Sequence, residues 1–457
     1  MTRADRQRRE IERAADEAAR EVYQSILSRS PEHDFEPTLD RVLAVCDLLG
    51  DPQKAFRTVH VTGTNGKTST ARMIDRLVRE HGLRTGRFTS PHLTSVRERI
   101  AIDGEPISAE RFVEVWQDVA PYVHLVDTRS AAADGPRMSF FEVLTVMAFA
   151  AFADAPIDVA IIEVGMGGTW DATNAVDGVV AVITPIALDH QRWLGHDLVS
   201  IAGEKAGIIK DGASVVMSTQ SEDVEGVLLT AAAGSGARVV REGVDVDVTE
   251  RSVAVGGQLV SLRGLGGIYT EVFLPLYGAH QAHNALLALV ATEALITGGG
   301  ALDGDVVGAA FADVDSPGRL EVLRSSPTIL VDAAHNPAGV AALVEAVEEA
   351  FEFTRLVGVV GVLADKDAEQ VLAGLEPLLA EIVITRSSSP RSLDIDDLAA
   401  IATEVFGEDR VHTVERLDDA LDLAVQRAEG EEQYGAGVLV TGSITIVADV
   451  RILLGRG

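Results

Sequence analysis

A chain of 457 residues, 47% of them hydrophobic, is too long for one core and has apolar side chains enough for two or three. Its formal net charge of −31 at pH 7 works against nucleic acid and anionic membrane surfaces as partners, so an anionic substrate would need a locally basic site. The single cysteine, Cys46, excludes an internal disulfide framework and a thiolate-rich metal site, and fits a reducing compartment.

The opening MTRADRQRREIERAADEAAREVYQ is densely charged at helical spacings and has no apolar stretch, so a solvated helix is expected there and a secretory signal is not. Next comes FRTVHVTGTNGKTST: a β-branched strand, a glycine-bearing turn, and a helix opening at Lys67 or Thr68. The commonest phosphate loop, G-x-x-x-x-G-K-[ST], would place glycine where this chain has Val61. The loop Gly63-Thr64-Asn65-Gly66-Lys67-Thr68 is therefore a shorter one. N–H groups at a helix N-terminus point outward at the positive end of its dipole and bind phosphate oxygens. Lys67 adds charge for the β and γ phosphates, and the Thr68 or Ser69 hydroxyl is expected close to a metal.

In GRFTSPHLTSVRERI, Ser90-Pro91 ends the next strand, and Arg97, Glu98 and Arg99 bring back both charge signs; alone this reads as a polar loop. VLTVMAFAAFA suits a buried core helix, Phe149 and Phe152 included, and no apolar run reaches the roughly 18 residues of a membrane helix. A soluble, cytoplasmic protein is expected.

IDVAIIEVGMGG sets Glu163 at a strand end, with Gly165, Gly167 and Gly168 permitting close backbone approach and Asp171 and Asn174 just beyond. GVVAVIT runs into Pro185 and LDHQRWLG, which places Asp189 and His190 comparably. Ligands of α/β sheets bind at the carboxyl ends of the strands. Glu163 and His190 after neighbouring strands, facing a phosphate loop, point to a Mg²⁺ site, although spacing alone leaves His190 open between ligand and structural residue. SIAGEKAGIIK then supplies Glu204 and Lys205, which on a surface would be solvated charges, and ASVVMS is a further strand.

Residues 234–277 break the βα rhythm with short alternating segments and glycines, and are expected to form an antiparallel β excursion within the first domain. After ADVDSPGRLE the rhythm restarts with TILVDA, RLVGVVGVL, AEIVIT, RVHTV and GVLVTG. The expected fold is α/β: a phosphate-loop ATPase domain with a mostly parallel sheet over residues 1–315, and a Rossmann-like α/β domain over 316–457.

The pieces VTGTNGKTST, FTSPHLTSVRERI, MSFFE, EVGMGGTWDATN, LDHQRWLG, EKAGIIK, SPGRLE, VDAAHNPAG and TGSITIVADVR resemble, in order from about Thr58 to Arg451, the folylpolyglutamate synthase and dihydrofolate synthase family. That family lies within the ATP-dependent amide ligases that include the Mur peptidoglycan ligases. The arm before Tyr23 lies outside the match. Two departures are Thr68, where many members have glycine, and Ala333 after Asp332, where glycine is more frequent.

The resemblance implies ligation of L-glutamate to dihydropteroate, to the γ-carboxylate of reduced folates, or to both, through an acyl phosphate. It assigns the ATP phosphates to Lys67, and magnesium to Ser90, Glu163 and His190. Lys205 would be carbamylated and would bind a second magnesium ion. Asn284 would lie near the adenine, Arg319 would reach the nucleotide phosphates from the linker, and Asp332 and His335 would contact ribose and nucleotide. Phe140 or Phe141 would stack on the pterin. Asp189 is a candidate on the substrate side, as a base for the glutamate ammonium, that no sequence feature singles out. The implied partners are small molecules, ATP among them, bound by a monomer, with neither nucleic acid nor membrane. Competing readings are another Mur-superfamily ligase acting on a different carboxylate and a phosphate-loop switch ATPase. A dinucleotide oxidoreductase is disfavoured because no strand leads into G-x-G-x-x-G.

Overall fold

The computed structural model describes residues 3–30, 36–429 and 435–456. The chain divides into two compact units. One comprises Met1–Asp247, Leu262–Tyr269 and Asn284–Phe311; the other comprises Val248–Ser261, Thr270–His283 and Ala312–Gly457.

The first unit is built on strands β1 (Arg57–Thr62), β2 (Thr85–Phe88), β3 (Ile100–Ile102), β4 (Glu105–Pro106), β5 (Val159–Glu163), β6 (Gly178–Ile183), β7 (Ser214–Met217) and β8 (Arg238–Arg241). Their order is β4-β3-β2-β5-β1-β6-β7-β8, parallel from β2 through β8, with β3 and β4 added antiparallel at one edge. Every residue of β5 is buried, as is all of β1 after Arg57, which explains why they read as unbroken apolar runs rather than alternating ones. Glu163 and His190 follow β5 and β6, which are not adjacent but flank β1 on either side. The helix Phe140–Asp154 is buried almost all round, Phe149 and Phe152 completely, and opens with a capping box. Ser139 N donates to Glu142 Oε2 at 2.6 Å and Glu142 N to Ser139 Oγ at 3.3 Å.

The helix Lys67–Glu80 buries Asp75 completely, where its carboxylate accepts from Thr85 Oγ1 at 2.5 Å and Arg87 Nη1 at 2.7 Å. The arm expected to be solvated is helical over Arg3–Leu27, but its last turns are not free of the core. Ala19 and Ile26 are buried, and Val22 and Tyr23 pack against the same cluster as the Phe140–Asp154 helix. The stretch Glu10–Ala14 is exposed and matches the expectation, because the apolar side chains of this helix collect toward its C-terminal end.

The β excursion is a three-stranded sheet in the order β11-β10-β9, from β9 (Asp247–Ala254), β10 (Gly257–Arg263) and β11 (Ile268–Leu274). It begins later than expected, since β8 pairs in parallel with β7 and closes the main sheet, and it does not lie within the first unit as expected: Val248–Ser261 and Thr270–His283 belong to the second.

In the second unit β12 (Glu321–Ser325), β13 (Thr328–Val331), β14 (Arg355–Val360), β15 (Glu381–Ile384), β16 (Val411–Thr413) and β17 (Ala436–Thr441) form a sheet in the order β12-β13-β17-β14-β15-β16. All its pairings are parallel except β12 with β13. The fold is thus mixed α/β, with a mostly parallel sheet followed by a second α/β sheet.

Candidate active site

The phosphate loop leaves the carboxyl end of β1 in the middle of the first sheet and enters the helix at Lys67. Its backbone is tied on both sides: Thr64 N donates to Pro185 O at 2.9 Å, and Thr64 Oγ1 exchanges hydrogen bonds of 3.0 Å with Ala187. Gly63 lies at φ +142°, and a Cβ there would sit 1.8 Å from Thr184 Oγ1, so glycine is dictated by both conformation and space. Gly66, at φ +89°, is covered by Asn284, whose Oδ1 would lie 2.5 Å from an added Cβ. Asn284 is buried six residues into the helix Ala279–Thr297, well inside rather than at its N-terminus. Asn65 and Thr64 are half-buried on the loop, and Ser69 is buried in the first helical turn.

Lys67 Nζ donates to Gly63 O at 3.1 Å and Thr64 O at 3.0 Å, so it folds back over the loop its helix follows. Thr68 Oγ1 donates to Glu163 Oε1 at 2.8 Å, and Ser90 N donates to Glu163 Oε2 at 3.2 Å. Three expected residues from three strand exits therefore meet on one buried carboxylate. His190 stands beyond β6 at φ 51°, its side chain 40% exposed, and its N–H donates to Asp189 Oδ1 at 2.8 Å. Among the described residues no group of three or more His, Cys, Asp or Glu is arranged to hold a metal. Glu163, with the Thr68 hydroxyl on its carboxylate and Ser90 held beside it by the backbone, nonetheless offers a hard oxygen donor at a phosphate loop, which suits Mg²⁺, an ion that takes few protein ligands and completes its shell with phosphate and water.

Lys205 is buried near the end of the helix Leu198–Ala206 and donates from Nζ to Gly63 O at 2.7 Å. Burial, reinforced by the charge of Lys67, lowers its pKa to about 7 against the opposing pull of Asp189 and Asp171. The loop after β5 fixes this helix by close backbone packing: a Cβ on Gly168 would meet Glu204 O at 2.5 Å, and one on Gly207 would meet Thr169 Oγ1 at 2.2 Å. Thr169 N donates to Glu204 O at 3.0 Å, and Asn174 Nδ2 bridges Thr169 O and Gly207 O.

Sequence reading missed what anchors that loop from behind. Asp171 Oδ2 accepts from Met166 N at 2.8 Å, while its Oδ1 accepts from Thr173 N at 3.0 Å and Thr173 Oγ1 at 2.5 Å. His60, fully buried on β1, places Nε2 2.9 Å from Thr173 Oγ1. Because the threonine proton is committed to Asp171, the imidazole is the donor, and its Nδ1, without a hydrogen-bond partner among the described residues, is the bare nitrogen. Burial holds the ring neutral, with its pKa lowered to about 3. Asp171 was visible just past the strand; Thr173 and the histidine behind it required the fold.

Phe140 and Phe141 are both buried at the start of their helix. The Phe141 ring packs against Phe88 at 5.6 Å and against the bare backbone of Gly165, where a Cβ would come within 2.5 Å. Phe140 lies under Arg99, whose Cζ is 5.2 Å from its centroid.

In the second unit Asp332 follows β13. Its Oδ1 accepts from Ala334 N and its Oδ2 from Leu320 N, both at 2.8 Å. Burial raises its pKa against Arg319, whose charge lowers it. His335 Nδ1 lies 2.9 Å from Ala333 O and so carries the proton, which leaves Nε2 as the acceptor. Ala333 is buried and accommodates this turn without glycine.

A family model described as Mur ligase, glutamate ligase domain, matches residues 318–444. The dihydrofolate synthase/folylpolyglutamate synthase of Mycobacterium tuberculosis is 50% identical over 448 residues, covering 94% of this chain and 92% of that protein. The Bacillus subtilis protein of the same name is 32% identical over 421 residues, covering 91% and 94%. The crystal structure of M. tuberculosis folylpolyglutamate synthase complexed with ADP and AMPPCP superposes with a TM-score of 0.92 at 49% identity, over 97% of this chain and 99% of that one. E. coli FolC in complex with DHPP and ADP gives a TM-score of 0.81 at 28% identity, over 96% and 97%. With the phosphate loop, the carboxylate it faces and the buried lysine beside it all in place, the chain belongs to the dihydrofolate synthase/folylpolyglutamate synthase family of ATP-dependent ligases in the Mur superfamily.

Proposed function

We propose that this chain ligates L-glutamate to dihydropteroate and extends the γ-glutamyl tail of reduced folates, in both cases through an acyl phosphate. The observation that carries the reading is the buried Lys205 amine bonded to Gly63 of the phosphate loop, a feature that a switch ATPase has no use for. Hydroxide is a poor leaving group, so the acceptor carboxylate first attacks the γ-phosphorus of ATP and ADP departs. The glutamate amine, having lost a proton, then attacks the acyl carbon; phosphate leaves, and a second proton is lost as the amide forms.

The first step brings two anions together, and the loop N–H groups with Lys67 lower that repulsion. Mg²⁺ held by Glu163 with Ser90 and His190 would neutralise phosphate charge further. A Lys205 amine that is half unprotonated near pH 7 is nucleophilic enough to take up CO₂, and the resulting carbamate would supply an anionic oxygen ligand beside Lys67 for a second ion. Phe141 against Gly165 forms the wall on which a pterin ring stacks, Asn284 takes the nucleotide side of the loop, and Asp189 faces the acceptor. Arg319, Asp332 and His335, all carried by the second unit, are the residues proposed there for nucleotide contact. The reading is of a cytoplasmic monomer.

Phosphate release from ATP with Mg²⁺ and glutamate, compared among dihydropteroate, reduced folate and no acceptor, tests it together with mass spectrometry of the products. Gain of one glutamate by dihydropteroate and of further glutamates by reduced folate is expected. If neither acceptor gains mass, the reading fails.

A further inference from the structure

The N-terminal helix Arg3–Leu27, apart from the resemblance through most of its length, does more than pack. We propose that Tyr23 on this helix is a positioning residue that holds the loop carrying Ser90 and the turn carrying Phe141 in register. Its ring stands edge-on to two others, His92 at 6.0 Å and 83° and Phe140 at 6.1 Å and 68°. Those two are already joined through Arg99, which donates from Nε to His92 Nδ1 at 2.9 Å and lays its guanidinium over the Phe140 ring at 5.2 Å.

His92 is two residues from Ser90, and Phe140 precedes Phe141, so Tyr23 braces both at a distance of one side chain. The main chain just past the helix reaches the same turn independently. Ser30 O accepts from Phe140 N at 2.9 Å, and Arg29 Nη1 donates to Met138 O at 3.1 Å. Removing the Tyr23 ring therefore leaves the backbone of the turn attached while it takes away both aromatic contacts. The phosphate loop has ties of its own, to Pro185 and Ala187, and meets the braced segment only through Ser90 at Glu163, so the consequence falls first on the acceptor side.

This inference rests on the reading of Phe141 as the acceptor wall, so Phe141→Leu is measured alongside. In Tyr23→Ala the KM for dihydropteroate rises roughly tenfold while the KM for ATP stays near the parent value and the melting temperature falls with the lost packing, and Tyr23→Phe restores both because the ring survives. If Phe141→Leu raises the acceptor KM and Tyr23→Ala does not, the inference alone is overturned. If Phe141→Leu also leaves it unchanged, the acceptor-wall reading falls and the inference with it. Parallel increases in both KM values, or a lower melting temperature with unchanged KM, would mark Tyr23 as a packing residue only and overturn the proposal.

Discussion

Lys205→Met tests the electrostatics of the site in a way that activity cannot. The ammonium is buried in the folded protein and its pKa falls from 10.5 to about 7, whereas in the unfolded chain it titrates normally. Below pH 7 both states are protonated, and folding carries the full penalty of that shift, roughly 5 kcal/mol. Between about pH 7 and 10.5 the unfolded state binds the extra proton, so the wild-type protein gains stability with rising pH, by up to about 1.4 kcal/mol per unit. Methionine has a similar shape and no charge, and gives up only the hydrogen bond to Gly63 O, about 1 kcal/mol. The variant should therefore be more stable than wild type by about 3 kcal/mol near pH 7, and its advantage should shrink by about 2 kcal/mol near pH 9. The assay is urea unfolding in CO₂-depleted buffer, followed by tryptophan fluorescence; Trp116, Trp170 and Trp193 all lie in the first unit, so the signal reports the unit that holds Lys205. An advantage that stays constant between the two pH values would refute the assignment of Lys205 as a buried amine of depressed pKa, whatever the variant's loss of ligase activity.

Gly63→Ala should abolish ATP-dependent ligation and destabilise the first unit by at least about 2 kcal/mol, since the methyl collides with Thr184 and the backbone angle is unfavourable for alanine; a folded, active alanine variant in the same urea assay would contradict the loop geometry. Glu163→Gln keeps the size of the side chain and its contact with Thr68 but removes the charge, and should lower acceptor-stimulated phosphate release roughly 100-fold or more. A Mg²⁺ titration whose half-saturation is unchanged from wild type would show that the carboxylate is not a metal ligand. Asp75→Ala strands Arg87, only 5% exposed at its side chain, and should cost roughly 3–5 kcal/mol in unfolding free energy. A loss under about 1 kcal/mol would mean that water or another group satisfies the arginine. Tyr23→Ala, described above, completes the set through its selective effect on the acceptor KM.

Much of the first sheet could be read directly, because β1, β5 and β6 are buried on both faces and their apolar runs end abruptly at glycine or proline. The phosphate loop and Glu163 were legible for the same reason, each standing at the end of a strand, whereas Lys205 read on its own as a solvated charge and only the resemblance singled it out. What the sequence did not reveal depends on pairing order. Glu163 and His190 come from strands that flank β1 rather than touch, a consequence of the crossover that inserts β1 between β5 and β6. His60 looks like one more residue of an apolar strand, and only the fold brings it to Thr173 across 113 residues of chain. The N-terminal helix was misjudged as solvated because its charge dominates its composition, while the few side chains that matter, Tyr23 and Ile26 among them, fall near its end. The start of the β excursion was placed too early, because a short strand such as β8 has no local feature that tells a sheet edge from a hairpin.

The second unit is not one stretch of chain. It takes Val248–Ser261 and Thr270–His283 from within the first, and completes itself only with Ala312–Gly457. During synthesis these two early stretches leave the ribosome before their partners exist and must wait for the C-terminal stretch, with Val253, Val255 and Leu259, all of them still exposed in the finished fold, already in water. Release of the full chain, not the emergence of a domain, is therefore what allows the second unit to close. A fragment beginning at 316 lacks two of its three pieces, and a chimera that exchanges only that fragment with a relative asks the donor's C-terminal segment to fold onto strands it did not evolve with.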